Sequence, residues 1–143
     1  MTCLVRCPDP VKVSFFGDLG LASVSLPQQI EGPHIKIASL VDLGATKVAV
    51  IQKRASLKDY LDIDALLNQG ELDLETLIAA GSIVYGTQFN PQLTFKALTY
   101  FKGGDLESLP LEIQKRLIMS LKNIKEEKIQ KRLLELQHQK NHQ

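Results

Sequence analysis

A run of helix-start signals begins at residue 39, and the residues before it carry none. Ser39 stands three residues before Asp42, and Ser56 three before Asp59. Asp73 opens an apolar run, Asn90 precedes Pro91, and Ser108-Leu109-Pro110 introduces the last stretch. Ser, Asp and Asn side chains accept from the orphan N–H groups of a helix's first turn, and proline suits the first helical position. In the first two signals Asp takes the place more often filled by Glu or Gln. The pattern predicts a series of short helices over 40–54, 57–68, 74–85 and 91–101, then one from Pro110 to about Gln137. Stops agree with this: Gly70, Gly86 and Gly103-Gly104 follow the apolar periods. In the first helix Leu40, Leu43, Val48 and Ile51 are expected on the inner face. Gly44 inside that helix costs about 1 kcal/mol relative to Ala, which a close packing contact would explain.

The first 38 residues have a different period. Val11 to Phe16 alternates and is rich in β-formers; Leu4-Val5, Leu21 to Leu26 and Ile35 to Ala38 are shorter apolar stretches. The expected fold class is α+β: a small N-terminal β-sheet of three to four short strands, then about five helices. Three segments follow, a strand-rich 1–38, a helical 39–110 and a long charged helix in 111–143.

Composition narrows the function. The chain has 143 residues and a formal charge of +1, which suits one domain and excludes binding nucleic acid by bulk positive charge. Charge is uneven, however. Residues 111–143 carry +4 and residues 1–110 carry −3. The basic segment keeps a helical apolar stripe, and reads as a helix docked by one face or as an arm that contacts a partner or nucleic acid. No apolar run of about 18 residues and no leader-like N-terminus is seen, so no membrane is expected and the cytoplasm is the default. Cys3 and Cys7 lack two further ligands nearby, so they are expected as free thiols and no metal site is assigned.

Chemistry concentrates between Ile37 and Leu67. Lys47 stands among Ala45, Val48, Ala49, Val50 and Ile51 and must either snorkel or meet an anion. Arg54 lies seven residues on, about two turns, on nearly the same face. Asp59 and Asp62 share a face of the next helix. Two readings stay open. In one, Asp42 and Asp59 cap helices while Lys47 and Arg54 form ion pairs across a helix junction. In the other, Lys47 and Arg54 line a cationic pocket for a polyphosphate, and Asp59 and Asp62 orient them.

The run Ala38-Ser39-Leu40-x-Asp42-Leu43-x-Ala45-x-Lys47, then Arg54, then Lys58-Asp59-Tyr60-x-Asp62-x-x-x-Leu66-Leu67 resembles the AbiEii/AbiGii-like nucleotidyltransferase toxins. Tyr85-Gly86-x-x-Phe89-x-Pro91, Lys96-Ala97-Leu98-x-Tyr100-Phe101 and Gly104-Asp105-Leu106-x-x-Leu109-Pro110 continue the likeness, which spans roughly residues 4–118. It implies an NTP-using transferase of the polymerase-β-like superfamily, acting with Mg²⁺ in a type IV toxin–antitoxin pair, with an antitoxin protein as partner. The family's catalytic Lys and Asp motifs fall on Lys47, Asp59 and Asp62, and its nucleotide-binding cations on Lys47 and Arg54. Asp42 and Lys58 match accessory positions.

One family element has no counterpart. The superfamily carries Gly-Gly or Gly-Ser and then a strand with Asp-x-Asp, whose carboxylates hold the metal. Asp62-Ile63-Asp64 has the spelling but falls in an expected helix, where residues two apart point about 200° apart. Gly81-Ser82 is followed by no such motif, and Ser14 on the remaining strand offers no carboxylate. The expectation is therefore a truncated nucleotidyltransferase-like chain, its later part only, impaired alone or active when another chain completes the site. It would own the cationic wall of a nucleotide cleft and none of the acids that grip magnesium opposite it; two or more acids converging a few ångströms apart beside the Lys47 ammonium would overturn that view. The free edge of Val11–Phe16 would then pair with a second copy or lie under the C-terminal helix.

Overall fold

The computed structural model describes residues 2–6, 8–14, 21–32, 35–69 and 72–142. Its class is α+β, as the change of period at residue 39 predicts. Strands β1 (Thr2–Arg6) and β2 (Pro10–Ser14) form an antiparallel hairpin, with Val5 opposite Val11 and Leu4 opposite Lys12. A second antiparallel pair joins β3 (Gln28–Gln29) and β4 (Lys36–Ile37). The two pairs stay separate, so there is no single small sheet among the described residues. Leu21 to Leu26 is irregular rather than a strand: its Val24 is fully buried while its neighbours turn around it. Phe15, Phe16, Cys7 and the expected stop Gly70 lie outside the described residues.

Six α-helices follow among the described residues: α1 (Leu40–Val50), α2 (Leu57–Gln69), α3 (Leu74–Tyr85), α4 (Pro91–Ala97), α5 (Leu111–Lys122) and α6 (Glu126–Asn141). The expected caps at Ser39, Asp73 and Asn90 each accept from a first-turn N–H. Ser56 does not close a box with Asp59; the Leu57 N–H instead donates to Asp105 at 2.7 Å, and Asp59 turns to cations. Helix α4 stops at Ala97, short of Phe101, with Leu98 buried as its cap. The expected single last helix is two. The apolar positions Leu117, Leu121 and Ile124 share one stripe, but the next, Ile129, lies five residues on. That gap rotates the stripe by about 140°, so a straight helix could not bury both halves. A break at 123–125 lets α6 return onto α3.

Helix α3 is the hub. Leu74, Leu77, Ile78, Ala79, Ala80, Gly81 and Val84 are buried on it, and both α1 and α6 pack against it. The main core joins Val48, Ile51, Tyr60, Ile63, Leu77, Leu98, Leu106 and Leu117; a smaller one joins Val24, Ala45, Ala79, Ala80 and Leu136. The α1–α3 contact explains Gly44: a Cβ there would lie 2.4 Å from Leu77 Cδ2. Its small face of Gly44 and Ala45 also corrects the expected inner face. Val48 and Ile51 are buried, but Leu40 is 59% exposed and Leu43 39%, because they lie on the flank beside Lys47.

The basic tail is docked by charge and by apolar contact. Lys128 Nζ lies 2.9 Å from Asp73, and Arg132 Nη2 lies 3.4 Å from the same carboxylate. Leu133 and Leu136 pack on the small-residue face of α3. Since α6 lies on α3 and Val11 remains 52% exposed, β2 is not covered in the way its free edge suggested.

Candidate functional site

The four residues singled out around the α1–α2 junction do meet. Helix α1 ends at Val50, and the tight turn at 51–53 (Gln52 N–H to Ala49, Lys53 N–H to Val50) reverses the chain. Arg54 is therefore not two helical turns along α1 from Lys47; the turn brings it back to the start of α2. There Lys47 Nζ lies 3.0 Å from Asp59 Oδ1 and 2.6 Å from Asp62 Oδ2. Arg54 Nε and Nη2 both lie 3.0 Å from Asp59 Oδ2. Asp59 thus divides its two oxygens between two cations while its side chain is only 2% exposed. Burial works against the Lys47 ammonium, but its hydrogen bonds to Asp62 and Asp59 outweigh that, and its pKa is raised above the ordinary lysine value.

Two acids thus converge on the Lys47 ammonium, which corrects the expectation of a wall bare of acids. Their arrangement is an ion-pair cluster. Magnesium demands near-octahedral oxygens at about 2.1 Å, and here the ammonium already lies between the two carboxylates. Among the described residues no group of three or more His, Cys, Asp or Glu gathers for a metal, so these residues as arranged do not fit one. Asp62-Ile63-Asp64 is split as helical geometry requires. Asp62 faces Lys47, whereas Asp64 is held by Arg116 of α5 through Nε at 2.9 Å and Nη2 at 2.6 Å, with Asn68 Nδ2 donating at 2.9 Å.

A groove of about 450 Å³ opens beside this cluster. Leu40, Leu43, Lys47, Lys58, Asp62 and Leu66 line it. Leu40, Leu43 and Lys47 repeat at three and four residues along one flank of α1, and so present an apolar floor ending in an ammonium. Lys58, exposed on the first turn of α2, adds a second cation. Asp42 is elsewhere in purpose: it closes the Ser39 capping box and accepts from Val24 N–H at 2.7 Å, Ser25 N–H at 3.2 Å and Ser23 Oγ at 2.9 Å. It ties the 23–25 segment to the start of α1 and does not reach the groove.

Next to Asp59, Tyr60 is buried, donates to the Ala97 carbonyl at 3.1 Å and meets Phe101 edge-on. Burial first, and then the Asp59 charge, push its phenol up to about 12. Sequence reasoning gave no contact or role to Tyr60, Arg116 or Asp105. Their partners lie 37 to 52 residues away, and no local spacing marks such pairs.

The family model described as nucleotidyl transferase AbiEii toxin, type IV TA system, matches residues 6–140. No curated protein and no solved structure matches the chain.

Proposed function

The chain belongs to the AbiEii family of nucleotidyl transferase toxins of type IV toxin–antitoxin systems, and on that footing we propose that the α1–α2 groove holds an NTP. The carrying observation is an ammonium at the end of an apolar floor, held by two acids at 3.0 and 2.6 Å. Lys47 takes phosphate oxygens, Lys58 and Arg54 add positive potential, and Leu40, Leu43 and Leu66 offer apolar surface to the base or sugar. Asp59 and Asp62 are positioning residues: they hold Lys47 where a phosphate can meet it. Nucleotidyl transfer with Mg²⁺ then needs carboxylates beyond those described here, so the chain alone binds nucleotide and transfers poorly, and a second chain completes the site. An antitoxin protein is the partner this reading implies.

Amide NMR of the full chain during titration with Mg-ATP and Mg-GTP tests the binding. Shifts at residues 40–47 and 58–66 that vanish in Lys47→Ala support it; no shift at millimolar nucleotide ends it. Labelled-NTP incorporation by the chain alone, dependent on Asp59 and Asp62, would overturn the need for outside carboxylates.

A second reading draws on the hairpin, where Leu4 is 69% and Val5 42% exposed. Exposed apolar residues on a two-stranded hairpin favour association with another chain. Light scattering at several concentrations distinguishes a self-associating chain from a monomer.

A further inference from the structure

The turn that follows α1 carries a second cationic depression. It lies on the other side of Asp59 from the groove described above and is about 370 Å³ in volume. Lys53, Arg54, Lys96 and Lys102 line it, with Leu93 and Tyr100. Among the described residues no acidic side chain lines it. Three of the four cations, Lys53, Lys96 and Lys102, make no ion pair among the described residues; Arg54 gives Nε and Nη2 to Asp59. Asp59 is engaged by Lys47 and Arg54, and Asp105 accepts from the Leu57 N–H.

Asp59 already offsets Arg54, but the three ammoniums of Lys53, Lys96 and Lys102, brought to one concavity by three separate segments, repel one another unless an anion offsets them. We propose that this depression is a second anion site and takes a small polyphosphate, an ion with several phosphate groups a few ångströms apart. Volume and charge both favour a small ligand over a nucleic-acid strand. The depression is the size of a small-molecule pocket, and the chain's net charge of +1 gives little long-range pull on a long polyanion. Arg54 retains Nη1 to donate to a phosphate without leaving Asp59. Lys53, Lys96 and Lys102 are exposed, so binding them costs little desolvation and weakens with salt.

The site does not rest on the nucleotide reading, and site-resolved NMR separates the two. Inorganic tripolyphosphate is titrated into the full chain at low salt without divalent ions. The expected result is saturable shifts at residues 53–55 and 96–102, retained in Lys58→Glu and weakened at least about tenfold in the double variant Lys96→Glu/Lys102→Glu, a change of about 1.4 kcal/mol. Circular dichroism of that variant, with two exposed lysines changed, should match the parent. Absence of shifts at 96–102, or shifts there that persist in the double variant, overturns the proposal. A short single-stranded oligonucleotide that binds the same lysines at least about tenfold tighter than tripolyphosphate also overturns it. Loss of the nucleotide reading alone would show at 40–47 and 58–66 and leave 96–102 responsive.

Discussion

Lys47 has two carboxylate partners at similar distance, and their removal should have very different costs. Asp59 is buried and serves two cations; Asp62 has a 37% exposed side chain and serves one. In Asp59→Asn the amide can accept from one cation but turns an N–H toward the other. Breaking a buried pair costs about 3–5 kcal/mol. Lys47 keeps Asp62, and Arg54, 63% exposed, can turn to water, so the low end applies, about 3 kcal/mol. For a chain of this length that lowers the midpoint of thermal unfolding by roughly 10 °C. Asp62→Asn removes a partly exposed partner and should cost about 0.5 kcal/mol. Urea unfolding followed by circular dichroism measures both. Equal costs for the two variants, or a loss under about 1 kcal/mol for Asp59→Asn, would refute the claim that Asp59 is the buried keystone of the junction. If that contrast holds, Asp62→Asn becomes the useful functional variant, because it alters the setting of Lys47 in an intact fold.

Gly44→Ala gains about 1 kcal/mol of helix propensity but forces the buried Leu77 aside, an overpacking cost of about 1–3 kcal/mol; chemical denaturation should show a net loss of about 1 kcal/mol, and a gain would show that Leu77 yields freely. Asp73 has its pKa lowered to about 2: burial opposes this, but the Thr76 hydroxyl and N–H and the Lys128 ammonium outweigh it. Its folded pKa lies below its unfolded value near 3.8, so its stabilisation, about 2 kcal/mol, is complete above pH 4 and lost as pH falls through about 2. Stability measured against pH should lose that slope in Asp73→Asn, and an unchanged acid limb would contradict the α3–α6 tie. The Tyr60 phenol should stay protonated in spectrophotometric titration until near pH 12, provided the fold persists; a buried tyrosine signal ionising near 10 would place Tyr60 in water.

Much of the molecule was legible along the chain because the relevant physics is local. Helix starts at 39, 73 and 90 depend on side chains reaching N–H groups two or three residues away. The same short range carried the change of period at residue 39, the close approach at Gly44 and the meeting of Lys47 with the α2 acids. The family likeness rested on that ordered run of residues, and the match over 6–140 accords with it. Even the break before α6 was written in the five-residue gap between Ile124 and Ile129, a phase slip that was read over rather than through.

Other features depend on groups that only folding brings together. Leu40 and Leu43 are apolar and periodic, yet they flank a groove, because the position of α3 against Gly44 and Ala45 decides which side of α1 is inside. Arg54 reaches Asp59 through a turn rather than along a helix. Asp105 rather than Ser56 caps α2, and Arg116 claims Asp64 across 52 residues. A sequence therefore specifies which groups need partners, through burial and charge. Which partner each one receives is set by the packing of remote segments, because contact energies fall off within a few ångströms and are blind to separation along the chain.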